Sequence, residues 1–159
     1  MKNSKKTIKI LAISDSHGNI SALNKLQGEM QKADYIFHLG DHYYDVEKIN
    51  LNFENKIYSV KGNCDGGGEE KIVEIFSLKI MLVHGDRYNV KSSLTRLFLR
   101  AQELKVDLVF FGHTHIPSII EEEGIILINP GCLTEFSVNK TYCLVEIKDN
   151  KINAKIEKI

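Results

Sequence analysis

The residues of this 159-residue chain best suited to chemistry stand in short polar clusters: Asp15-Ser16-His17, Gly40-Asp41, Gly62-Asn63, His84-Gly85 and Gly112-His113-Thr114-His115. Together they offer two carboxylates, one amide oxygen and four imidazoles. Seven such groups are too many for one ion and suit two ions that share a bridging carboxylate. Mixed oxygen and nitrogen donors favour Mn, Fe, Ni, Co or Zn over Mg or Ca. Two divalent ions about 3.5 to 4 Å apart lower the pKa of a shared water and clamp both oxygens of an in-line displacement at phosphorus. Two dications, two aspartates and one hydroxide leave a single positive charge, which a phosphodiester monoanion would neutralise.

Taken singly, each cluster has an ordinary structural account. Asp15 or Ser16 could cap a helix beginning near Asn19, with His17 a solvated turn residue. Asn63 after glycine reads as a turn residue, and His84 after an apolar run as a satisfied core histidine. Repetition argues against these accounts, because every cluster closes a short apolar run of the kind that forms a strand. The runs are residues 7–13, 34–39, 56–61, 78–83 and 107–111. In an open α/β sheet, ligands bind in the crevice beyond the carboxyl ends of the strands, so the clusters should gather on one edge. Asp15 and His17, two apart at a strand end, should leave the backbone on the same side.

Between these runs the sequence supplies the remaining elements. Ile20, Leu23, Leu26 and Met30 have helical spacing over residues 19–32, and a polar stretch over 44–50 is also of helical character. The glycine-rich segment 65–70 reads as a connection, and residues 71–76 as a strand turning tightly at Ser77 into the run over 78–83. Val90, Leu94, Leu97, Phe98, Ala101 and Leu104 predict a helix over 90–104. Past Pro117, four strands over 118–121, 124–129, 141–147 and 151–156 form an antiparallel portion, with Asn129-Pro130-Gly131 a turn by composition.

A chain of this length buries an adequate core, and no repeat or linker divides residues 1–159, so a single domain is expected. Twenty-one basic and 21 acidic residues cancel, which argues against a membrane-surface or general nucleic-acid binder and leaves an anionic substrate to be held locally. Cys64, Cys132 and Cys143 are odd in number and form no CxxC pair, as in a reduced cytoplasmic protein. The basic residues 1–6 precede an apolar run too short for a secretion signal, and no segment has the length of a membrane span.

In this order, Asp-x-His, Gly-Asp, Gly-Asn, His-Gly and Gly-His-x-His resemble the motif set of the calcineurin-like metallophosphoesterase superfamily. Gly62-Asn63-Cys64-Asp65 and Asn129-Pro130-Gly131 are similar to its small YfcE-type phosphodiesterase branch. The resemblance implies an α/β fold, an αββα four-layer sandwich of two mixed sheets flanked by helices. It implies a phosphodiesterase acting on a small phosphodiester through a dinuclear centre, most readily of Mn2+, and a metal-bridging hydroxide. One ion would lie among Asp15, His17, Asp41 and His115, the other among Asp41, Asn63, His84 and His113, with Asp41 as bridge. Many members carry histidine after Gly-Asn to assist the leaving group; here that position is Cys64, and the branch's His-Gly-His is His84-Gly85-Asp86. The catalytic set is therefore Asp41, Asn63 and Cys64, with His42 a candidate acid at the site mouth, His38 structural and Arg87 a surface residue. A retromer subunit of similar fold serves in protein assembly, so the alternative is a non-catalytic protein-binding module; the filled ligand positions favour the enzyme. A homo-oligomer is left open.

Overall fold

The computed structural model describes residues 6–49 and 56–159. The chain starts as β1 (Ile8–Ile13), two short helices α1 (Ile20–Lys25) and α2 (Gln27–Lys32), and β2 (Tyr35–His38). It continues through a 3-10 turn (Tyr43–Lys48), β3 (Lys56–Ser59), a second 3-10 turn (Asn63–Asp65), β4 (Glu70–Ile75) and β5 (Leu78–Val83). A third 3-10 turn (Asp86–Tyr88) precedes α3 (Thr95–Leu104) and β6 (Leu108–Phe110). The strands β7 (Ser118–Glu122), β8 (Ile125–Asn129), β9 (Thr141–Lys148) and β10 (Lys151–Lys158) complete it.

Among the described residues the strands form two five-stranded sheets, in the orders β10-β9-β1-β2-β3 and β4-β5-β6-β8-β7. Each is mixed. In the first, β1, β2 and β3 run parallel while β9 and β10 are antiparallel, with Ile8 opposite Ile147. In the second, β5, β6 and β8 run parallel, and β4 and β7 pair antiparallel at the edges. The parallel strands are those that end on the polar clusters, so their carboxyl ends share one edge of the molecule.

Packing explains why these runs are continuously apolar. Ile10 and Ala12 of β1 point between the sheets, where they meet Phe37, Ile80, Leu82, Phe110 and Val145. Phe37 and Phe110 meet edge to face across the two sheets, with centroids 5.2 Å apart. The alternate residues Leu11 and Ile13 face outward and are covered by Leu23, Leu26 and Met30 of the first helical layer. Met81, Val83 and Val109 are covered in the same way by Leu97 and Ala101 of α3. The result is the four-layer αββα arrangement expected.

The strands past Pro117 do not form one antiparallel portion: β8 runs parallel to β6 in the second sheet, whereas β9 and β10 join the first. Three helical boundaries also differ from expectation. The helix expected over 19–32 breaks at Leu26, whose N–H bonds to Leu23 O; the break keeps Leu23, Leu26 and Met30 all buried on one layer. The helix expected from Val90 starts only at Thr95. Asn89 takes a positive φ and its carbonyl accepts the N–H groups of Ser92 and Ser93, while the Ser93 hydroxyl accepts the Thr95 N–H. These local bonds compete with the helix, although Val90 and Leu94 still pack on α3's core face. The helical stretch expected over 44–50 is a 3-10 turn; its end at 50 lies outside the described residues, as does most of the basic N-terminal stretch.

Candidate metal centre

Every cluster singled out from the sequence lies at this shared strand edge, directly after a parallel strand. Asp15 follows β1, Asp41 follows β2, Asn63 follows β3, His84 follows β5, and His113 and His115 follow β6. Convergence is not achieved by strand pleating, as the spacing of Asp15 and His17 had predicted. Asp15, His17, Asp41, His42, His113 and His115 all adopt positive φ, between 45° and 68°. Such a conformation is costly for residues with a Cβ, and here it concentrates on the residues that would bind. The left-handed turns end the extended backbone at these residues.

Two sets of donor atoms result. Atoms of Asp15, His17 and His115 lie within 4.8 Å of one another, and so do atoms of Asp41, His84 and His113. A third set, His17, Asp41 and Cys64, lies between them; the sequence had given Cys64 no place among ligands. Asp41 Oδ2 stands 3.6 Å from His17 Nε2 and 3.4 Å from His84 Nε2, so it touches both main sets. Asp15 Oδ1 stands 3.0 Å from His115 Nε2 and 3.9 Å from His17 Nε2. Ligands about 2.1 Å from one ion are about 3.0 to 3.4 Å apart, close to these spacings.

Three further observations test whether the residues fit cations, and each favours it. Asp15 Oδ1 is buried and has no aligned hydrogen-bond donor, despite the nearness of His115. His84 Nδ1 donates to Leu39 O at 2.6 Å, which turns Nε2 toward the site. Nε2 lies 3.1 Å from Asn63 Oδ1 and 3.4 Å from Asp41 Oδ2, so three donor-type atoms gather at the spacing that ligands of one ion keep. Finally, glycine is required beside the ligands: a Cβ on Gly40 would lie 2.7 Å from both His84 Nδ1 and Gly62 N.

Electrostatics follow the same logic. Burial pushes the Asp41 carboxyl up, but the His84 ring and the Cys64 amide outweigh it and hold it well below the usual carboxylate range. Burial pulls the His84 imidazole down, and Asp41 and Asp15 overcome this and raise it. Asp15, followed by the Cys132 thiol, raises His115 to about 10. Burial, then Lys91, lowers His113. The site thus holds Asp41 ionised and attracts positive charge.

Support comes from residues whose roles leave no periodic trace in the sequence. The Gly40 N–H donates to His38 Nδ1 at 3.2 Å, which leaves His38 Nε2 to donate to Ser16 Oγ at 2.8 Å; Ser16 in turn donates to Asp45 Oδ2 at 2.7 Å. Asp45 Oδ2 also accepts the Gly18 N–H at 2.7 Å, so it pins both sides of His17. His38 is structural, as expected, and burial pushes its imidazole down to about 4. Asn129 ends β8, and its amide donates to Gly112 O and to Thr114 Oγ1, bracing the loop that carries His113 and His115. The two sheets are tied at the site by the His113 N–H donating to Asp15 Oδ2 at 3.1 Å.

At the mouth, the His42 ring lies 5.4 Å from that of His17 and stacks on Tyr44. Cys64 is exposed and its amide donates to Asp41 Oδ1 at 2.9 Å; burial and then the Asp41 carboxylate raise its thiol. Arg87 is a surface residue that donates to Gly68 O.

A two-sheet αββα sandwich with these donors at its parallel-strand edge defines a metallophosphoesterase. Residues 8–150 match the calcineurin-like phosphoesterase superfamily domain, and the chain belongs to that superfamily. The probable metallophosphoesterase YsnB of Bacillus subtilis is 31% identical over 147 residues, covering 89% of this chain and 85% of its own. Among solved structures, a predicted phosphoesterase of Streptococcus pneumoniae superposes with TM-score 0.78 at 28% identity, covering 98% of this chain and 91% of the other. An archaeal phosphodiesterase (TM-score 0.76, 22% identity) covers 96% of this chain and 100% of its own. Vacuolar Protein Sorting 29 of Cryptosporidium parvum (TM-score 0.75, 22% identity) covers 96% of this chain and 98% of its own. At that identity the last two likenesses concern the fold alone. No helix among the described residues is long and apolar enough to cross a membrane.

Proposed function

We propose that this phosphoesterase is a phosphodiesterase working at two divalent ions. One would be held by Asp15, His17, His115 and Asp41, the other by Asp41, Asn63, His84 and His113. The observation that carries this reading is the position of Asp41 Oδ2, 3.6 Å from a ring nitrogen of one set and 3.4 Å from a ring nitrogen of the other. Two divalent ions there would supply Lewis-acid charge at the phosphoryl oxygens and make a nucleophile of water at neutral pH. The mixed imidazole and oxygen donors suit Mn2+.

The chain's own residues do the rest. Asp41 and Asp15 supply two negative charges against two dications, leaving a net positive site suited to a monoanionic diester. Asn63 and Cys64, both exposed, border the opening through which substrate enters. Cys64, with its raised thiol, is a poor proton donor at neutral pH, so the departing group leaves largely unassisted; His42, beside His17, is the candidate acid, and a rate insensitive to leaving-group pKa would assign it that role. Three unpaired cysteines fit a reducing, cytoplasmic setting.

The likeness to Vacuolar Protein Sorting 29 favours a second reading, a protein-binding module that keeps the fold without turnover. One experiment separates the two. Metal-stripped protein is reloaded with Mn2+, Ni2+, Co2+, Zn2+ or Mg2+, its metal content measured, and a series of aryl and alkyl phosphodiesters and phosphomonoesters assayed. The expected result is close to two ions per chain, ready cleavage of aryl diesters with acidic phenols, and a rate that falls steeply as the leaving-group pKa rises. A limit of one ion would overturn the dinuclear reading. No turnover with any metal would leave the binding module.

A further inference from the structure

A cleft of about 440 Å³ opens directly beside His17 and His115 and is walled by Cys132, Thr134, Phe136 and Ser137. Its contents are unusual for a site that handles phosphate. Apart from the two imidazoles and the Cys132 thiol the lining side chains are neutral, and no lysine, arginine or carboxylate is among them. A second phosphate or a carboxylated arm would find no partner there. The wall is an aromatic face with a hydroxyl edge, which suits a flat ring carrying polar atoms on its rim.

Phe136 is 87% exposed and Val138 97%, the two most exposed large apolar side chains among the described residues. They belong to one turn, and that turn is not slack. The Ser137 N–H donates to Thr134 O at 3.1 Å, the Ser137 hydroxyl to Asn139 O at 2.8 Å, and Lys140 Nζ to Ser137 O at 2.7 Å. Thr134 is buried and Leu133 wholly so, which anchors the base of the turn while its tip stays in water. The Leu133 N–H also donates to Asp15 O, so the turn is indexed to the metal-site backbone itself. A fixed turn that holds a phenyl ring in solvent beside metal ligands contributes nothing to the core, and its placement makes sense as a stacking surface.

We propose that this cleft is the subsite for one ester arm of the substrate, and that the arm is a planar aromatic or heteroaromatic ring stacked on Phe136. The inference rests on the phosphodiesterase reading for its substrate class and on the cleft alone for its choice of arm. A volume of about 440 Å³ admits a single ring system with its linker and lies toward the small end of ligand sites.

The test is calorimetric binding of phenyl phosphate and methyl phosphate to Mn2+-loaded protein, with metal content and melting temperature measured on each variant. Wild type should bind phenyl phosphate about ten-fold more tightly than methyl phosphate, the size of one ring-on-ring stacking contact. Phe136→Ala should reduce that ratio to about two-fold or less while leaving methyl phosphate affinity unchanged, and Phe136→Tyr should restore it. The exposure of Phe136 keeps both variants folded. An unchanged ratio in Phe136→Ala, or a wild type without preference, would overturn the proposal. Binding requires no turnover, so the two readings fail separately. A protein that distinguishes the two esters yet hydrolyses no diester retains the subsite and loses the phosphodiesterase reading; an active one with an unchanged ratio does the reverse.

Discussion

Gly62 gives the sharpest test of how tightly the metal site is built. Its backbone is extended, with φ −94° and ψ −176°, so alanine can adopt the conformation without strain. Space is what alanine lacks. A Cβ there would lie 2.7 Å from Asp41 N, 2.9 Å from His84 Cδ2 and closer still to Asp41 Oδ1. The first of these is backbone and cannot swing aside, so the β2 end and the Gly62 turn must separate by several tenths of an ångström. Metal–ligand bonds tolerate only about 0.2 Å. Forcing a methyl into packed surroundings costs about 1 to 3 kcal/mol. Moving Asp41 also weakens its bond from the Cys64 amide, a loss of up to about 2 kcal/mol. Gly62→Ala should therefore lower unfolding free energy by about 3 kcal/mol and weaken Mn2+ binding by roughly 100-fold or more.

Gly66 is the matched control, because its situation is reversed. With φ +92° and nothing within 4 Å of a Cβ, it denies alanine the conformation but not the space. Gly66→Ala should cost about 1 to 2 kcal/mol of stability and leave metal affinity unchanged. Urea unfolding in chelator measures the first quantity and competition with a chromophoric chelator the second. Metal binding by Gly62→Ala within three-fold of wild type would refute the account of the site as a close-packed cradle.

Two further outcomes follow from the network under His17. His38 is neutral when buried, with its pKa depressed from 6.5 to about 4, so the native state binds fewer protons than the unfolded one in between. Its contribution is complete above about pH 6.5 and is lost as pH falls toward 4, a change of about 3 kcal/mol. The stability difference between wild type and His38→Asn should narrow by that amount from pH 7 to pH 4; narrowing by under about 1 kcal/mol would mean that His38 protonates without cost. Asp45→Ala strands the Ser16 hydroxyl and the Gly18 amide and should cost about 3 kcal/mol together with a ten- to 100-fold loss of metal affinity, roughly, through misplacement of His17. Chelator competition at constant pH checks it, and an unchanged affinity would show that His17 is held by other means.

The sequence disclosed the strands and the ligand clusters for one reason: both are local. An apolar run with both faces buried, stopped by Gly-Asp or Gly-His, is written in consecutive residues, and β1, β2, β5 and β6 all appeared where such runs lay. What bound the clusters together was less legible. Ser16, His38 and Asp45 meet across separations of 22 and 29 residues, and Asn129 reaches back 15 to Thr114. Contacts of that kind carry no period, so Asn129 read as a turn residue when it is the buried brace of the His113 loop. The helix boundaries near Leu26 and Thr95 were missed because apolar spacing reports which side chains meet the sheet and not whether the backbone between them is helical. Phe136 gave no signal at all, since a lone aromatic in a polar loop acquires meaning only from what lies beside it.

The proposed ligands are divided between the sheets. Asp15, His17, Asp41 and Asn63 come from the first, and His84, His113 and His115 from the second. Neither sheet alone presents a complete set, and β1 finds its antiparallel partner β9 only when the chain has been made as far as residue 148. On the proposed ligand sets, a cation would join residues of both sheets across the seam between them. Ions bound there would act as a latch on the closed molecule. They would slow the rate at which the two sheets come apart.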